Sequence, residues 1–148
     1  MILRFGYVSM ALPLWEASPS HTITFTNWKK LDETSRAEKL LTITERNLKN
    51  TIRILHYNIA HGILVYRMSS SLIPLAAHPE VDWEFISPFE HLFKEIGEMV
   101  RNYGMRVSFH PGQFTLFTSK QAHVTNNAIV DMTYHFKMLQ AMGLAKEA

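Results

Sequence analysis

Cysteine is absent from the 148 residues of this chain, which excludes disulfide bonds and thiolate metal sites. Any metal would therefore be held by imidazole and carboxylate groups, and the sequence contains eight histidines. The chain also lacks an apolar run of about 18 residues, the length that a membrane-spanning helix needs. From these absences we expect a cytoplasmic protein without a membrane span.

Several common catalytic motifs are missing as well. The sequence contains no GxGxxG, no Walker loop, no His-Glu-x-x-His and no Gly-x-Ser-x-Gly. Its 15 Lys and Arg against 13 Asp and Glu give a formal net charge of +2, too small an excess to indicate a polyanionic partner. The hydrophobic content of 47% and the charged content of 19% are typical of a globular domain with a core.

Apolar residues recur along the chain with periods that alternate between those of a strand and those of a helix. The predicted order is βαβαβα, with strands at 3–9, 63–69 and 105–110. Two capping boxes, at positions 35 and 38 and at positions 87 and 90, predict the starts of the first two helices, and a glycine ends each helix. This alternation indicates an α/β fold with parallel strands and right-handed crossovers.

Two further segments complete the prediction. The last helix is expected over about 122–142, with five apolar residues facing inward: Val124, Ile129, Met132, Phe136 and Leu139. The stretch 11–31 has no periodicity and is predicted to be a long loop. It carries Trp15 and Trp28, for which we expect loop packing, with ligand contact as the alternative.

In parallel α/β folds, functional groups collect beyond the carboxyl ends of the strands. Tyr7 lies near the end of the first predicted strand and Arg67 near the end of the second. His78 lies in the loop after the second strand, and His110 ends the third. Two histidines on adjacent loops at one end of a sheet can share a metal ion, although a catalytic site normally needs more protein ligands than two.

A turn follows His110 directly. Pro111 fixes its own φ and Gly112 permits a positive φ, so the chain reverses there. Gln113 and Phe114 are thereby presented at the tip, an amide beside an aromatic ring, as in a binding site. The alternative is a capped core histidine followed by an ordinary turn, and the residues alone leave both open.

Segments 4–9, 66–71, 74–79 and 108–114 together resemble the UV damage endonucleases. They read Arg-Phe-Gly-Tyr-Val-Ser, Tyr-Arg-Met-Ser-Ser-Ser, Pro-Leu-Ala-Ala-His-Pro and Ser-Phe-His-Pro-Gly-Gln-Phe. The likeness runs through the whole chain, and several ordered motifs at matching spacing make it specific. It implies a TIM barrel roughly twice the length of this chain, of which residues 1–148 would be the N-terminal part, its first three βα units.

The resemblance implies a DNA repair enzyme that cuts the backbone 5′ to UV photoproducts in double-stranded DNA, with divalent metal ions, expected to be manganese. The matching positions are His78 and His110 for metal ligands, Gln113 and Phe114 for the pair that probes the strand opposite the lesion, and Tyr7 for an aromatic that helps to open the duplex. Arg67, within a matching segment, is a further expected DNA contact. The catalytic residues and other ligands are expected beyond Ala148, so we expect neither a full metal cluster nor activity in this chain alone.

Two other hypotheses stay open. A metal-dependent sugar isomerase or epimerase barrel would also place histidines at strand ends, and predicts a small closed pocket. A non-catalytic, self-associating α/β fragment is the second. Three strands would leave apolar barrel-facing side chains exposed and one strand edge unpaired, so we expect association as a twofold dimer.

Overall fold

The computed structural model describes residues 4–112 and 115–146. Within them, three strands form one parallel sheet in the order β1 (Gly6–Val8), β2 (Val65–Ser69) and β3 (Arg106–His110). The α-helices are α1 (Phe25–Lys29), α2 (Glu33–Ala60), α3 (Glu90–Asn102) and α4 (Ala122–Ala141), and a 3-10 turn (Ser87–Phe89) precedes α3. No helix in this part of the chain has the length and hydropathy needed to cross a membrane.

The sheet is covered by helices on one side. On β3, buried Val107 and Phe109 alternate with exposed Arg106 and His110, and the buried pair lies in register with Tyr66 and Met68 of β2. These side chains join one core with the apolar residues of α2, α3 and α4. Sequential parallel order with helices on a single side is the arrangement of successive TIM-barrel units, whereas doubly wound sheets are covered on both sides. The predicted βαβαβα order and fold class are confirmed.

Both predicted capping boxes are wrong in detail. At the start of α2, the carboxylate of Asp32 accepts the Ser35 backbone N–H at 3.0 Å and the Ser35 hydroxyl at 2.7 Å, so Ser35 lies inside the helix. Before α3, Oε1 of Glu84 accepts the N–H groups of Ile86 and Ser87 at 2.6 and 3.2 Å. In both places an upstream carboxylate, a stronger acceptor than a hydroxyl, takes the free N–H groups.

The segment predicted as a loop over 11–31 contains the short helix α1. Thr24 caps it, with its hydroxyl accepting the Asn27 N–H at 3.3 Å. Trp28 is half-buried, as the packing role requires. Trp15 is 83% exposed, so the prediction that it packs the loop is wrong.

Helix α4 has nearly the predicted length but turns a different face to the core. Three residues expected to point inward, Ile129, Met132 and Phe136, are exposed. The buried residues are Ala128, Tyr134, His135 and Met138. The Tyr134 hydroxyl accepts the N–H of Ile73 at 3.0 Å and donates to Ser70 O at 3.3 Å, which fixes this face against the loop after β2.

The uncovered face of the sheet is mostly polar, and the expectation of an apolar barrel-facing patch is wrong. Its side chains are Val8 on β1, Val65, Arg67 and Ser69 on β2, and Arg106, Ser108 and His110 on β3. Strand alternation sends the large apolar side chains to the helix side and leaves charged and hydroxyl groups on the open side. Exposed apolar side chains lie in part on α4, at Ile129, Val130, Met132 and Phe136. Others lie around β1, at Phe5, Val8, Met10, Leu12 and Trp15.

A buried asparagine ties α2 to both long loops. Asn47 is fully buried, and its Oδ1 accepts the His21 N–H at 2.9 Å. Its Nδ2 donates to His21 O at 2.8 Å and to Leu72 O at 2.9 Å. One carboxamide therefore fixes the loop after β1 and the loop after β2 at the same point of the helix.

We expect Asn47→Ala to lower the free energy of unfolding by about 1–3 kcal/mol, because backbone groups of both loops lose their partner in a buried environment. Urea denaturation followed by circular dichroism measures this change. Asn126→Ala, at an exposed position of α4, is the control and should stay within about 0.5 kcal/mol of the wild type. A loss for Asn47→Ala no larger than for the control would contradict the structural role.

Candidate functional site

A cleft of about 480 Å³ opens beyond the carboxyl ends of β2 and β3. One wall is the loop after β2, and the other is α4 with Asp131 and Tyr134. His78 lines the first wall, and Gly112, two residues after His110, also borders the cleft. The structure thus brings the His78 loop and the end of β3 to one rim of the sheet.

The imidazole of His78 is half-buried and held from two sides. Its ring stacks on Phe25 of α1, with ring centres 4.1 Å apart and planes 17° from parallel. Its Nδ1 accepts the backbone N–H of Glu80 at 3.2 Å. Leu75, three residues earlier, has a positive φ of 56°, an uncommon conformation for a branched side chain, and its carbonyl accepts the His78 N–H at 3.1 Å.

His110 is the last residue of β3 and is exposed on the open face of the sheet. It lies in register with Ser69. Arg67, two residues before Ser69, faces the same side and lies opposite Ser108. Within 4–112 and 115–146, no three histidine or acidic side chains are placed so that they could hold one metal ion. The two imidazoles can therefore supply only part of a ligand set, and their metal role stays a prediction.

Gln113 and Phe114 lie outside the described residues, so neither their predicted exposure nor their DNA contact is tested. The positions on either side of them are described. The N–H of Thr115 donates to Gly112 O at 3.0 Å. The hydroxyl of Thr115 donates to Asp131 of α4 at 2.7 Å, which anchors the chain to the cleft wall directly after this pair.

Tyr7 is not brought together with the two histidines. It lies in register with Tyr66 on the helix side of the sheet, and its hydroxyl donates to Oδ1 of Asn58 in α2 at 2.5 Å. Burial raises the pKa of this hydroxyl, with the Asn58 hydrogen bond acting in the opposite direction. Its predicted contact with DNA, which would compete with Asn58 for the hydroxyl, stays a prediction.

A chain of serine hydroxyls crosses the same end of the sheet. The Ser20 hydroxyl donates to Ser69 Oγ at 2.8 Å and lies 3.1 Å from Ser9 Oγ, and Ser69 Oγ also accepts the Ser71 N–H at 3.0 Å. Ser9, directly after β1, has a positive φ of 62°. The sequence pattern predicts that Ser9 and Ser69 lie at strand ends. It does not predict that Ser20, in the loop after β1, connects them by hydrogen bonds.

Asp131 and Tyr134 on α4 border the cleft, His135 is buried beside Tyr134, and the apolar periodicity missed all three. Together with Ala128 and Met138 they recur at intervals of three and four residues. A search for a helical face that counts polar as well as apolar residues would therefore have identified them from the sequence. His135 is 2% exposed and packs against Phe109, with ring centres 4.9 Å apart. Its Nδ1 lies 2.8 Å from Asp131 O, and Nε2 has no hydrogen-bond partner in the described part of the chain.

Burial lowers the pKa of His135, and the nearby Asp131 carboxylate opposes this shift without reversing it. In the unfolded chain the imidazole takes up a proton below a pH of about 6.5, whereas in the folded chain it stays neutral to lower pH. The unfolded state then binds more protons, so the free energy of unfolding should fall as the pH drops below about 6.5.

We expect His135→Phe, which keeps a ring beside Phe109, to remove part of this acid sensitivity. Urea denaturation at a series of pH values between neutral and mildly acidic measures it. His123→Gln, which deletes an exposed imidazole of the same helix, is the matched control and should leave the slope unchanged. Equal slopes for His135→Phe and the wild type would exclude His135 as the origin.

Comparison with known proteins matches the whole chain to one family. The sequence model described as "UV-endonuclease UvdE" matches residues 3–148. A UV DNA damage endonuclease of Bacillus mycoides (strain KBAB4) is 58% identical over 145 residues, which cover 98% of this chain and 46% of that protein. A UV DNA damage endonuclease of Bacillus anthracis is 57% identical over the same share of both chains.

The structural comparison agrees with the sequence comparison. The chain superposes on a crystal structure of SacUVDE with a TM-score of 0.86 and 32% identity, over 97% of this chain and 47% of that one. The chain therefore spans about half the length of the relatives that it matches. Histidines at strand ends are compatible with an endonuclease and with a sugar isomerase or epimerase barrel. The family match favours the endonuclease hypothesis.

Proposed function

Since this chain belongs to the UV-endonuclease family, we propose that it supplies the first βα units of a metal-dependent endonuclease that cuts DNA 5′ to UV photoproducts. The observation that carries the proposal is the family match across residues 3–148, which includes both candidate ligands. His78 and the end of β3 meet at one cleft, where parallel α/β enzymes place their chemistry. The cytoplasmic location expected from the sequence belongs to the same proposal.

His78 and His110 would hold part of the metal site, and manganese is the expected ion. Both are imidazoles at one end of the sheet, which suits a divalent ion of this kind once carboxylates complete the set. When bound, divalent ions supply a nucleophile at neutral pH and stabilise the leaving oxygen of the phosphodiester. With two histidines alone, we propose that this chain binds metal weakly and does not cut DNA.

Damaged double-stranded DNA is the proposed substrate, and the open face offers contacts for it. Arg67 is exposed on that face, two residues before the carboxyl end of β2, and carries the positive charge that phosphates require. The amide of Gln113 would hydrogen-bond bases opposite the lesion, and the ring of Phe114 would fill the vacated stack. Tyr7, on the helix side of β1, would assist opening of the duplex, and this contact would compete with Asn58 for the Tyr7 hydroxyl.

A chimera tests the proposal directly. We expect a Bacillus mycoides enzyme, with its 145 matching residues replaced by this chain, to nick UV-irradiated plasmid in the presence of Mn²⁺ and to leave unirradiated plasmid intact. His78→Ala and His110→Ala in the chimera should each lower the rate by at least about 10-fold, the scale of a lost metal-site group. Gel electrophoresis of nicked and supercoiled plasmid measures this rate.

His123→Ala, an exposed histidine of α4, is the matched control in the chimera and should keep the parental rate. The 148-residue chain alone should nick neither plasmid. A folded chimera that cuts irradiated and unirradiated plasmid equally would refute the substrate. Full activity of both ligand variants would refute the metal role.

We also propose that the chain by itself self-associates. The contact would be the exposed apolar face of α4, and not the open face of the sheet, which is mostly polar. Ile129, Met132 and Phe136 lie at helical spacing on that face, and Phe136 is 49% exposed. We expect a dimer in analytical ultracentrifugation, and Phe136→Glu should shift it to monomer because a buried carboxylate would be unpaired.

His123→Glu introduces the same charge on α4 away from the apolar face and should leave the dimer intact. A wild-type chain that sediments as a monomer over the whole concentration range would refute the association. A dimer that survives Phe136→Glu would place the contact elsewhere.

A further inference from the structure

His78 lies between β2 and the 3-10 turn, in a segment without regular secondary structure. A side chain that binds a metal must be held in one orientation, usually by its neighbours. Two contacts hold this imidazole: the hydrogen bond from the Glu80 N–H to Nδ1 at 3.2 Å, and the stack on Phe25 at 4.1 Å. They respond differently to metal binding.

The hydrogen bond from Glu80 is incompatible with ligation. An imidazole that binds a metal through one nitrogen carries its proton on the other. Ligation through Nε2 would put a proton on Nδ1, which then cannot accept the Glu80 N–H. Ligation through Nδ1 would replace that hydrogen bond by the metal. Either way, His78 would lose this contact when it becomes a ligand.

The stack on Phe25 has no such conflict. Ring stacking depends on the separation and tilt of the planes and is independent of which nitrogen carries the proton. A metal-bound imidazole also gains positive charge, which the face of an aromatic ring attracts. Phe25 is thus the observed side-chain contact that can hold the His78 ring both before and after ligation.

Phe25 is itself firmly supported. Its ring stacks on Trp28, with centres 5.9 Å apart and planes 26° from parallel. The guanidinium of Arg36 lies 5.0 Å from the Trp28 ring centre, and its Nε donates to Trp28 O at 3.3 Å. Its Nη2 donates to the carbonyl of Lys29. Arg36 belongs to the first turns of the 28-residue helix α2, so a long helix fixes the orientation of α1.

We propose that Phe25 is a positioning residue for His78, and that α1, held by Arg36, is the element that presents it. The inference rests on the metal role proposed for His78. Phe25 touches the imidazole and is not itself a ligand. The sequence offers no motif for this pair, because 53 positions separate the two residues and the interruption of the loop by α1 is what brings them together.

The packing is tested first in the metal-free chain by NMR, with the His78 ring signals assigned by their loss in His78→Gln. We expect nuclear Overhauser effects between the rings of Phe25 and His78, and His78 signals displaced upfield by the ring current. Phe25→Leu should move these signals toward the positions of an exposed histidine, and Phe25→Tyr should keep them displaced. Phe5→Leu, which removes an 81% exposed ring, is the matched control and should change nothing.

Positioning is tested next with Mn²⁺ alone. The ion should broaden the His78 signals of the wild type, and Phe25→Leu should need a roughly 10-fold higher concentration for the same broadening. Phe25→Tyr should restore the wild-type response, which a general loss of stability would not predict.

Two results would overturn the inference. One is the absence of nuclear Overhauser effects between Phe25 and His78 in the wild type. The other is an equal Mn²⁺ response of the wild type and Phe25→Leu. An intact stack with no Mn²⁺ effect on wild-type His78 would instead refute the metal role of His78, and with it the positioning of a ligand.

Discussion

The candidate site depends on the buried carboxamide of Asn47, a residue with no reactive chemistry of its own. A buried amide must satisfy its donors and its acceptor at once, and this one does so with His21 of one loop and Leu72 of another. The two loops are therefore positioned jointly and not independently. The first carries Phe25 and the second carries His78, so their stacking follows from where α2 holds both loops.

The sheet divides its side chains by function. The helix side takes the large apolar residues and forms the core, and the open side presents Arg67, Ser108 and His110 in neighbouring register positions. The polar groups lie toward the carboxyl ends of β2 and β3, the end at which TIM barrels carry their chemistry.

Apolar periodicity succeeded where a helix has one apolar stripe and failed where it has two. On α3 the apolar residues from Leu92 to Val100 recur at helical spacing and are buried, because only one face can reach the core. On α4, Ile129 and Phe136 form a stripe that competes with the one containing Met138. The hydrogen bonds of Tyr134 to the loop after β2 select the second stripe. The apolar pattern alone cannot predict which stripe of α4 is buried, because the hydrogen bonds that select it are made by a polar group.

The sequence by itself determined the order βαβαβα, the parallel sheet, the family and the strand-end position of His110, since alternation, helix ends and short motifs are local properties of the chain. Only the tertiary structure decided which face of α4 is buried, where Tyr7 points and how His78 is held. These depend on contacts between residues far apart in sequence, such as Tyr7 with Asn58 and Phe25 with His78. Their geometry is fixed only when the helices pack on the sheet.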